Sequence, residues 1–553
     1  MKQIQVTIDK HQIIQNVIGD VQEMLGAESL FYQGQHLHSL IPERLRAAHE
    51  AGFGRYIQTG TKRAMGSWID VPVLRADGEE ARYAFCVTEN GSAITALMEQ
   101  RCVDESSPTQ RLAKESHRDT IELLYKNAEQ ANKEWQNFDD EAVKIIIEEM
   151  FVAAKNSALE LATLASSETH MGNTESKAAK NLLAAEKVYE EIVKQRTVGI
   201  INETNDRIDI ATPMGTILCV IPVTNPTSTT IFKALCALRA RNSIIVLPAR
   251  KAAMATTMAA KVLYEAALKA GAPTHCIQWI TEGSRELTQA LFTDKRNALI
   301  LATGGMGLVE SAYSSGTPSL GVGAGNVPVL VDDTASMRHV ADCLVRSKTF
   351  DNGVICASEQ LLVCSQNGRE ALLDALAKKG GYLLPFRDAE KISDLCVVEG
   401  KMNPAIVGQT ALHIAKKAGI DIPEGTQLLI TEIKTIGPQE PMSTEVLAPV
   451  IAFHTVSTID QGIEICRQAV ELYGRGHTAV IHTESRELAL KYGESIDAGR
   501  ILVNCPSSQG AVGGGTNLNT SFTLGCGTGG KNITTDNITA QHLVNIRRVA
   551  WPI

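Results

Sequence analysis

Apolar and polar positions follow different periods along the chain, and this divides it into two regions. Near the N-terminus, "IQVTI" (residues 4–8) alternates as a half-buried strand does, and "ARYAFCVTENG" (81–91) predicts a strand that runs into a turn. Between them, apolar residues recur at helical spacing at Ile14, Val17, Ile18, Val21 and Leu25. We therefore predict a small α+β module over residues 1–105.

A polar segment that contains a proline, "RCVDESSPTQR" (Arg101–Arg111), predicts a boundary after this module. Beyond it, helical patterns alternate with short apolar runs such as "GTILCVIPV" and "NSIIVLPA". Strands separated by helices indicate βαβ units and a mostly parallel sheet. A second series of the same kind follows residue 356. The fold class is therefore predicted as α/β, with two α/β domains.

Composition and charge narrow the classes of function. The 553 residues are 44% hydrophobic, and the net charge of −9 with dispersed Lys and Arg argues against a nucleic-acid partner. No run reaches the roughly 18 apolar residues of a membrane span, and the start lacks the apolar core of a signal peptide, so we expect a cytoplasmic protein. Most of the 12 cysteines should be small buried residues, and the pair His36 and His38 lacks further ligands, so no metal is expected.

Four short segments carry candidate chemistry. Cys356 stands in "KTFDNGVICASEQ", a Gly- and Asn-bearing segment between two apolar stretches. Asn225 follows an apolar strand in "PVTNPTSTT", and two glycine-rich turns, "LATGGMG" and "GVGAGN", follow other apolar runs. Taken one at a time, these segments are typical of an Asn-Pro turn and of glycine turns without a dinucleotide fingerprint.

In this order, and together with "AYSSG", "GHT" and "TLGCGTGGKN", the segments resemble the aldehyde dehydrogenase superfamily, specifically the CoA-acylating branch found in bifunctional aldehyde-alcohol dehydrogenases. The resemblance runs from about residue 120 to the end. It implies a Rossmann-like dinucleotide-binding domain over residues 112–340 and a Rossmann-like catalytic domain over residues 341–530. It also implies an oligomerisation hairpin near 205–215 and a C-terminal oligomerisation segment at 531–553, hence a homo-oligomer.

The resemblance assigns roles to individual residues. It implies that Cys356 attacks an aldehyde carbon to form a thiohemiacetal, and that the Asn225 amide and the Cys356 backbone N–H stabilise the oxyanion. His477 in "GRGHTAVIH" is implied to take the coenzyme A proton or to tune Cys356, with a core or capping histidine as the alternative. Glu445 matches a glutamate that holds the nicotinamide ribose, with an exposed helix start as the alternative. The expected cofactor-binding residues are Thr303, Gly304, Gly305, Gly323 and Glu445.

One departure from hydrolytic aldehyde dehydrogenases sets the expected product. Those enzymes place a glutamate in the segment that matches "GVGAGN", but Gly321–Asn326 contains no carboxylate. Without a positioned base, water is a poor nucleophile, so the thioacyl-enzyme is hydrolysed slowly and reacts with the thiol of coenzyme A instead. We therefore expect reversible, NAD-dependent oxidation of a short aldehyde, such as acetaldehyde, to acyl-CoA. Propionaldehyde, sulfoacetaldehyde and succinate semialdehyde are alternative substrates, and a hydrolytic semialdehyde dehydrogenase is the alternative activity.

Two further features leave alternatives open. Pro248, with Arg250 and Lys251 beyond it, stands where hydrolytic relatives often have a lysine, so NADP is an alternative to NAD. Acylating relatives in bacterial microcompartments carry an amphipathic N-terminal helix, and residues 13–25 offer a similar pattern. Because strand-like patterning follows that stretch, the core of a small domain is the favoured interpretation.

Overall fold

A computed structural model describes residues 2–59, 68–90, 93–100, 117–281 and 283–553. Its internal contacts divide the chain into two compact units, Met1–Pro108 and Thr109–Ile553. The boundary predicted at residues 101–111 lies outside the described residues. Among the described helices, none combines the length and the apolar character needed to cross a membrane.

The N-terminal unit is an antiparallel sheet with helices inserted between its second and third strands. The strands are β1 (Lys2–Ile8), β2 (Ile14–Gly19), β3 (Trp68–Leu74), β4 (Glu80–Asn90) and β5 (Ala93–Gln100). The helices are α1 (Val21–Leu25), α2 (Ser29–Tyr32) and α3 (Glu43–Thr59). The strand order is β2-β1-β5-β4-β3, and the strands predicted at residues 4–8 and 81–91 are present as β1 and β4.

The helix predicted across residues 14–25 is wrong for its first half. That half forms β2, which pairs antiparallel with β1, and only α1 is helical. The pairing shifts register between Thr7 and Ile8, so Ile14 and Val17 are both buried although they are three positions apart. β-Branched residues favour strands, and pairing with β1 outweighs the helical spacing.

The second unit alternates strands and helices. Its strands are β6 (Gly199–Glu203), β7 (Arg207–Pro213), β8 (Thr216–Ile221), β9 (Ser243–Pro248), β10 (Ile277–Trp279), β11 (Asn297–Thr303), β12 (Ser319–Val322), β13 (Val327–Val331), β14 (Glu359–Ser365), β15 (Gly381–Leu383), β16 (Val397–Val398), β17 (Lys401–Met402), β18 (Leu428–Glu432), β19 (Val450–Val456), β20 (Gly476–His482), β21 (Ala498–Val503) and β22 (Val544–Ala550). Its helices are α4 (His117–Trp135), α5 (Asp140–Asn156), α6 (Ala158–Thr169), α7 (Thr174–Leu182), α8 (Val188–Ile192), α9 (Pro226–Arg239), α10 (Ala253–Lys269), α11 (Arg285–Phe292), α12 (Met306–Tyr313), α13 (Met337–Thr349), α14 (Arg369–Ala377), α15 (Phe386–Cys396), α16 (Ala411–Ala418), α17 (Ile459–Leu472), α18 (Arg486–Ser495) and α19 (Ser507–Gly510).

The first sheet of this unit has five parallel strands in the order β10-β9-β8-β11-β12. Every residue of β8 and β9 is buried. This explains why "TILCVI" and "SIIVLP" are continuous apolar runs, since helices cover both faces of a parallel sheet. The predicted α/β class is confirmed.

The second sheet has seven parallel strands in the order β15-β18-β19-β14-β13-β20-β21. The predicted boundary between the two domains, at residue 340, places β13 in the first domain. In the structure β13 pairs with β14 and β20, so the chain enters the second sheet at Val327. An apolar run predicts a buried strand but does not specify which strands it pairs with.

A small antiparallel sheet joins distant parts of this unit. Strand β7 lies between β6 and the C-terminal strand β22. The hairpin therefore occupies residues 199–213, and it starts earlier than the predicted 205–215. Most of β22 is exposed along its length. Strands β16 and β17 form a separate two-stranded antiparallel pair.

Candidate active site

Cys356 lies half-buried in a short loop between helix α13 and strand β14. Three residues in a row, Asp351, Asn352 and Gly353, have a left-handed backbone, with φ of 51°, 52° and 77°. Asp, Asn and Gly are the residues that tolerate this conformation best. The letters "DNG" in "KTFDNGVICASEQ" thus encode a tight turn that leads from the helix into the loop with the cysteine.

The carboxylate of Asp351 is fully buried and holds this turn in place. Its Oδ2 accepts hydrogen bonds from Nζ of Lys177 at 3.0 Å and of Lys180 at 2.6 Å. Its Oδ1 accepts one from the backbone N–H of Asn173 at 2.8 Å. A buried charge needs such partners. The two lysines are not among the residues predicted from the sequence, although their spacing of three positions on one helix is a signal for a shared partner.

Asn225 is the N-cap of helix α9, and Pro226 follows at the first helical position. Its Oδ1 accepts a hydrogen bond from Nζ of Lys180 at 2.7 Å, and the same ammonium donates to the carbonyl oxygen of Val354 at 2.7 Å. Val354 is two residues before Cys356. The structure therefore brings the predicted oxyanion donor and the predicted nucleophile loop to one shared lysine.

Gly325 brings three further groups together. A Cβ atom at this position would lie 2.1 Å from the carbonyl oxygen of Cys356 and 3.1 Å from Nδ1 of His477. The N–H of Gly325 donates to Oε1 of Glu445 at 3.0 Å. Only glycine fits where backbone and side chains approach so closely. The predicted residues Cys356, His477 and Glu445 are thus neighbours around "GVGAGN".

Burial sets the charge of these groups. It raises the pKa of the Cys356 thiol to about 12, and the Glu445 carboxylate adds to the effect while Arg500 opposes it. Burial also raises the pKa of Glu445 to about 7. Burial, with Arg500 as a second cause, lowers the pKa of His477 to about 3. At neutral pH the cleft therefore holds a thiol and an uncharged imidazole.

The Nε2 atom of His477 is buried and makes no hydrogen bond to any described residue, while Nδ1 lies 3.0 Å from Oγ1 of Thr478. An uncharged ring with one unpartnered nitrogen can accept a hydrogen bond from a thiol. Because its pKa is lowered, the ring does not keep a proton at neutral pH. The lowered pKa makes the ring a weak base, so it can accept a hydrogen bond from a thiol but would take up the proton only when a bound ligand raises that pKa.

Arg500 is a second residue that the sequence analysis missed. It is buried, and its guanidinium donates to the carbonyl oxygens of His477 at 2.6 Å and of Gly525 at 2.8 Å. These hydrogen bonds connect strand β20, which contains "GHT", to the C-terminal segment "TLGCGTGGKN". In the sequence it sits inside an apolar strand pattern, "GRILVN", which gave no signal for this role.

Four of the five predicted cofactor residues, all except Glu445, lie at the carboxyl edge of the first sheet. Thr303 ends β11 beside Val322 of β12, and the N–H of Gly304 points to the Val322 carbonyl at 3.4 Å. Gly305 is the N-cap of α12, and a Cβ at Gly323 would lie 2.7 Å from the nearest atom of that helix. The buried Oγ1 of Thr303 has no hydrogen-bond partner among the described residues. Ligands of parallel sheets bind at this edge.

A cavity of about 1040 Å³ opens beside these residues, at the carboxyl ends of β9 and β10. Pro248 and Arg250 line it, together with Arg285 at the start of α11 and Gly307 of α12. Gly307 is two residues after the N-cap Gly305, so the cavity and the predicted cofactor residues share one helix. Its size fits the adenosine part of a dinucleotide, and its two arginines have the charge that pairs with a phosphate of such a cofactor. Lys251, which the sequence analysis noted with Arg250, is not in its lining.

The histidines His36 and His38 belong to the N-terminal unit, where their ring centroids are 4.3 Å apart. His38 also lies 3.4 Å from the carboxylate of Glu50. Over the described ranges, the structure contains no group of three or more His, Cys, Asp or Glu side chains that could hold a metal ion.

Comparison with known proteins identifies the family of the chain. The model of the aldehyde dehydrogenase family matches residues 102–391. The chain is 40% identical over 437 residues to the bifunctional aldehyde-alcohol dehydrogenase AdhE of Escherichia coli strain K12; the match covers 78% of this chain and 49% of that protein. It thus spans about half the length of that relative.

Two further relatives match over nearly their whole length. The succinate-semialdehyde dehydrogenase (acetylating) of Clostridium kluyveri is 31% identical, over 78% of this chain and 96% of that protein. The crystal structure of an acetylating aldehyde dehydrogenase from Geobacillus thermoglucosidasius is 41% identical, with a TM-score of 0.78, over 79% of this chain and 97% of that one. The chain belongs to the aldehyde dehydrogenase family and is similar to its acetylating members.

Proposed function

We propose that this protein oxidises a short-chain aldehyde with NAD and transfers the acyl group to coenzyme A, in a reversible reaction. Cys356 attacks the aldehyde carbon, and the resulting thiohemiacetal loses hydride to give a thioacyl-enzyme. The thiol of coenzyme A then displaces Cys356 and carries the acyl group away as a new thioester. Acetaldehyde-like compounds are the proposed substrates, and the acetylating relatives support transfer of the acyl group to coenzyme A; the name of one of them supports succinate semialdehyde as the alternative substrate.

One observation carries the proposal. Gly325 packs against the carbonyl of Cys356 so closely that a Cβ would be only 2.1 Å away, and Gly321–Asn326 contains no carboxylate. No residue of this segment can therefore act as the base that would deprotonate a water molecule next to the thioacyl group. A thioester without such a base persists long enough to meet a better nucleophile, which is a thiol.

The cofactor contributes the hydride acceptor. The unpartnered Thr303 hydroxyl, the turn at Gly304 and Gly305, and the cavity with Arg250 are the groups that would hold a dinucleotide. The Glu445 carboxylate, which the N–H of Gly325 holds in place, would accept hydrogen bonds from the ribose of the dinucleotide. His477 would take the proton of coenzyme A through its unpartnered Nε2.

A coupled assay tests the proposal. The purified protein is given NAD and a panel of aldehydes, namely acetaldehyde, propionaldehyde, sulfoacetaldehyde and succinate semialdehyde, with and without coenzyme A. We expect repeated NADH formation only with coenzyme A present, and acyl-CoA as the product by mass spectrometry. The Cys356→Ser variant, which replaces the thiol by a hydroxyl group of similar size, should produce none.

The second candidate is hydrolysis with Glu445 as the base. Its carboxyl lies at Gly325 with a pKa raised to about 7 by burial, which is a suitable value for activating water. Multiple turnovers without coenzyme A, with carboxylic acid as the main product, would favour this activity. In that case Glu445→Gln should abolish acid release while leaving the first burst of NADH.

We also propose that the protein is a homo-oligomer that pairs through the sheet formed by β6, β7 and β22. Strand β22 lies at one edge of that sheet and is mostly exposed, with Ile546 40% and Val549 44% accessible. An exposed edge strand with apolar side chains favours pairing with another chain.

Light scattering after gel filtration tests this assembly. Replacing both Ile546 and Val549 by Asp should lower the mass toward that of one chain, because the charges oppose burial of the edge. Leu412→Asp is the control, since Leu412 is 64% exposed and lies in α16, outside both the sheet and residues 531–553. An unchanged mass in the double variant would place the interface elsewhere.

A further inference from the structure

The ammonium of Lys180 makes three short hydrogen bonds inside the second unit. Its acceptors are Oδ1 of Asn225 at 2.7 Å, Oδ2 of Asp351 at 2.6 Å and the carbonyl oxygen of Val354 at 2.7 Å. An ammonium has three N–H donors, so all of them are used. The side chain is 3% exposed, and Asp351 is fully buried. The position of this ammonium is therefore fixed from three sides.

This contact decides which way the Asn225 amide points. A lysine can only donate, so the atom that faces it must be the amide oxygen. The NH₂ group then points away from Lys180. Within the described part of the chain, this NH₂ group donates one hydrogen bond, to Oγ1 of Thr224 at 3.3 Å, which uses one of its two N–H bonds. One N–H remains available to a ligand.

Lys177 makes a useful comparison on the same helix. It also donates to Oδ2 of Asp351, at 3.0 Å, but its second bond goes to the backbone carbonyl of Thr224 and not to the side chain of Asn225. The two lysines thus share the structural task of neutralising Asp351. They differ in whether they contact the amide.

We propose that Lys180 is a positioning residue that orients the Asn225 side-chain amide toward the oxyanion formed on Cys356, and that Lys177 has no such role. The inference rests on the proposed function in one respect, since it takes Cys356 as the nucleophile and Asn225 as an oxyanion donor. The anchors of Lys180 support it: Val354 is in the cysteine loop, and Asp351 is in the turn that precedes it. A cation on the amide oxygen also polarises the amide and strengthens its N–H as a donor.

Two reactions of Cys356 that need neither NAD nor coenzyme A test this role. Acylation by p-nitrophenyl acetate passes through a tetrahedral oxyanion before nitrophenolate leaves, whereas alkylation by iodoacetamide displaces iodide without any oxyanion. Losing one oxyanion donor typically slows a reaction about 100-fold or more, so Asn225→Ala should do so for acylation. Lys180→Met should slow acylation at least about tenfold relative to Lys177→Met, with similar alkylation rates in both variants.

A double-mutant cycle separates positioning from folding. In the Asn225→Ala background, Lys180→Met should slow acylation by less than about twofold, because the amide that it orients is already absent. Lys180→Arg is a second variant. It keeps the positive charge that Asp351 requires, but the planar guanidinium cannot direct N–H groups at the same three acceptors as the ammonium does. It should fold, as judged by thermal melting, and still slow acylation more than alkylation.

Three results would overturn the inference. The first is that Lys180→Met and Lys180→Arg slow acylation and alkylation equally. The second is that Lys180→Met slows acylation as much in the Asn225→Ala background as in the wild type. The third is that Asn225→Ala leaves the acylation rate of Cys356 unchanged. A protein that acylates normally but needs no coenzyme A for turnover would refute the proposed function while leaving this inference standing.

Discussion

At the scale of single residues, the candidate nucleophile is poorly activated in the protein alone. Burial and the neighbouring Glu445 raise the pKa of Cys356 to about 12, and Arg500 only partly opposes them. The nucleophile of such a reaction is the thiolate. A cationic group that enters the cleft with the ligands would lower this pKa, so reactivity should depend on what is bound.

We predict that alkylation of Cys356 by iodoacetamide, without cofactor, becomes about tenfold faster per pH unit from pH 7 to 10 and reaches no plateau. The sign follows from the raised pKa, because the thiolate fraction grows with pH until the pKa is reached. Mass spectrometry of the Cys356 peptide over time measures the rate. A plateau near pH 8 would mean that the thiol is activated without ligands.

The Glu445→Gln variant is the matched control for this profile. Above about pH 7 the Glu445 carboxyl is ionised and opposes the thiolate. Removing its charge should lower the pKa of Cys356 and speed alkylation at pH 8 to 9, with little effect below pH 6, where the carboxyl is protonated. A slower reaction at pH 8 would show that Glu445 assists ionisation instead.

At the scale of elements, the site is made where turns from different strands touch. The loop that carries Cys356, the segment "GVGAGN" that leads from β12 to β13, and His477 of strand β20 meet around Gly325. None of these turns contains a catalytic group that works by itself. Their close approach defines the distance between thiol, imidazole and carboxyl.

We predict that Gly325→Ala lowers kcat at least about 100-fold, since a Cβ there would lie 2.1 Å from the Cys356 carbonyl and must displace the loop. Steady-state kinetics with aldehyde, NAD and coenzyme A measures the loss. Gly54→Ala in α3 is the control, because nothing lies within 4 Å of its added methyl group. Wild-type activity in Gly325→Ala would contradict the proposed packing of this segment.

At the scale of the whole molecule, the two units are separate bodies. The N-terminal unit has a core of its own, which includes Ile4, Val17, Met24 and Met98. The predicted site residues all lie in the second unit. The amphipathic-helix interpretation of residues 13–25 loses its basis, because much of that stretch is strand β2 in this core.

We predict that deletion of residues 2–108 leaves kcat and KM within about twofold of the full chain, because domains with separate cores can fold independently. Kinetics and gel filtration on both proteins test this. If the shortened protein is insoluble or inactive, the N-terminal unit completes the fold or the site of the second unit. A change in mass alone would assign it a role in assembly.

The sequence by itself determined the strand pattern, the α/β class and the segments that carry Cys356, Asn225, His477 and Glu445. Continuous apolar runs report burial directly, and the ordered motifs report the family. It mispredicted β2 and the sheet membership of β13, because periodicity says that a segment is buried but does not say against which partner.

Only the tertiary structure decided how the site is held and charged. Lys180 lies 45 residues before Asn225 and 171 before Asp351, and Arg500 lies in an apolar strand pattern. Their roles come from contacts between distant segments. The pKa values of Cys356, Glu445 and His477 follow from burial, which depends on how the whole unit packs around them. Local sequence contains no information on those surroundings, and so it indicated the candidate reacting groups but not the residues that contact them.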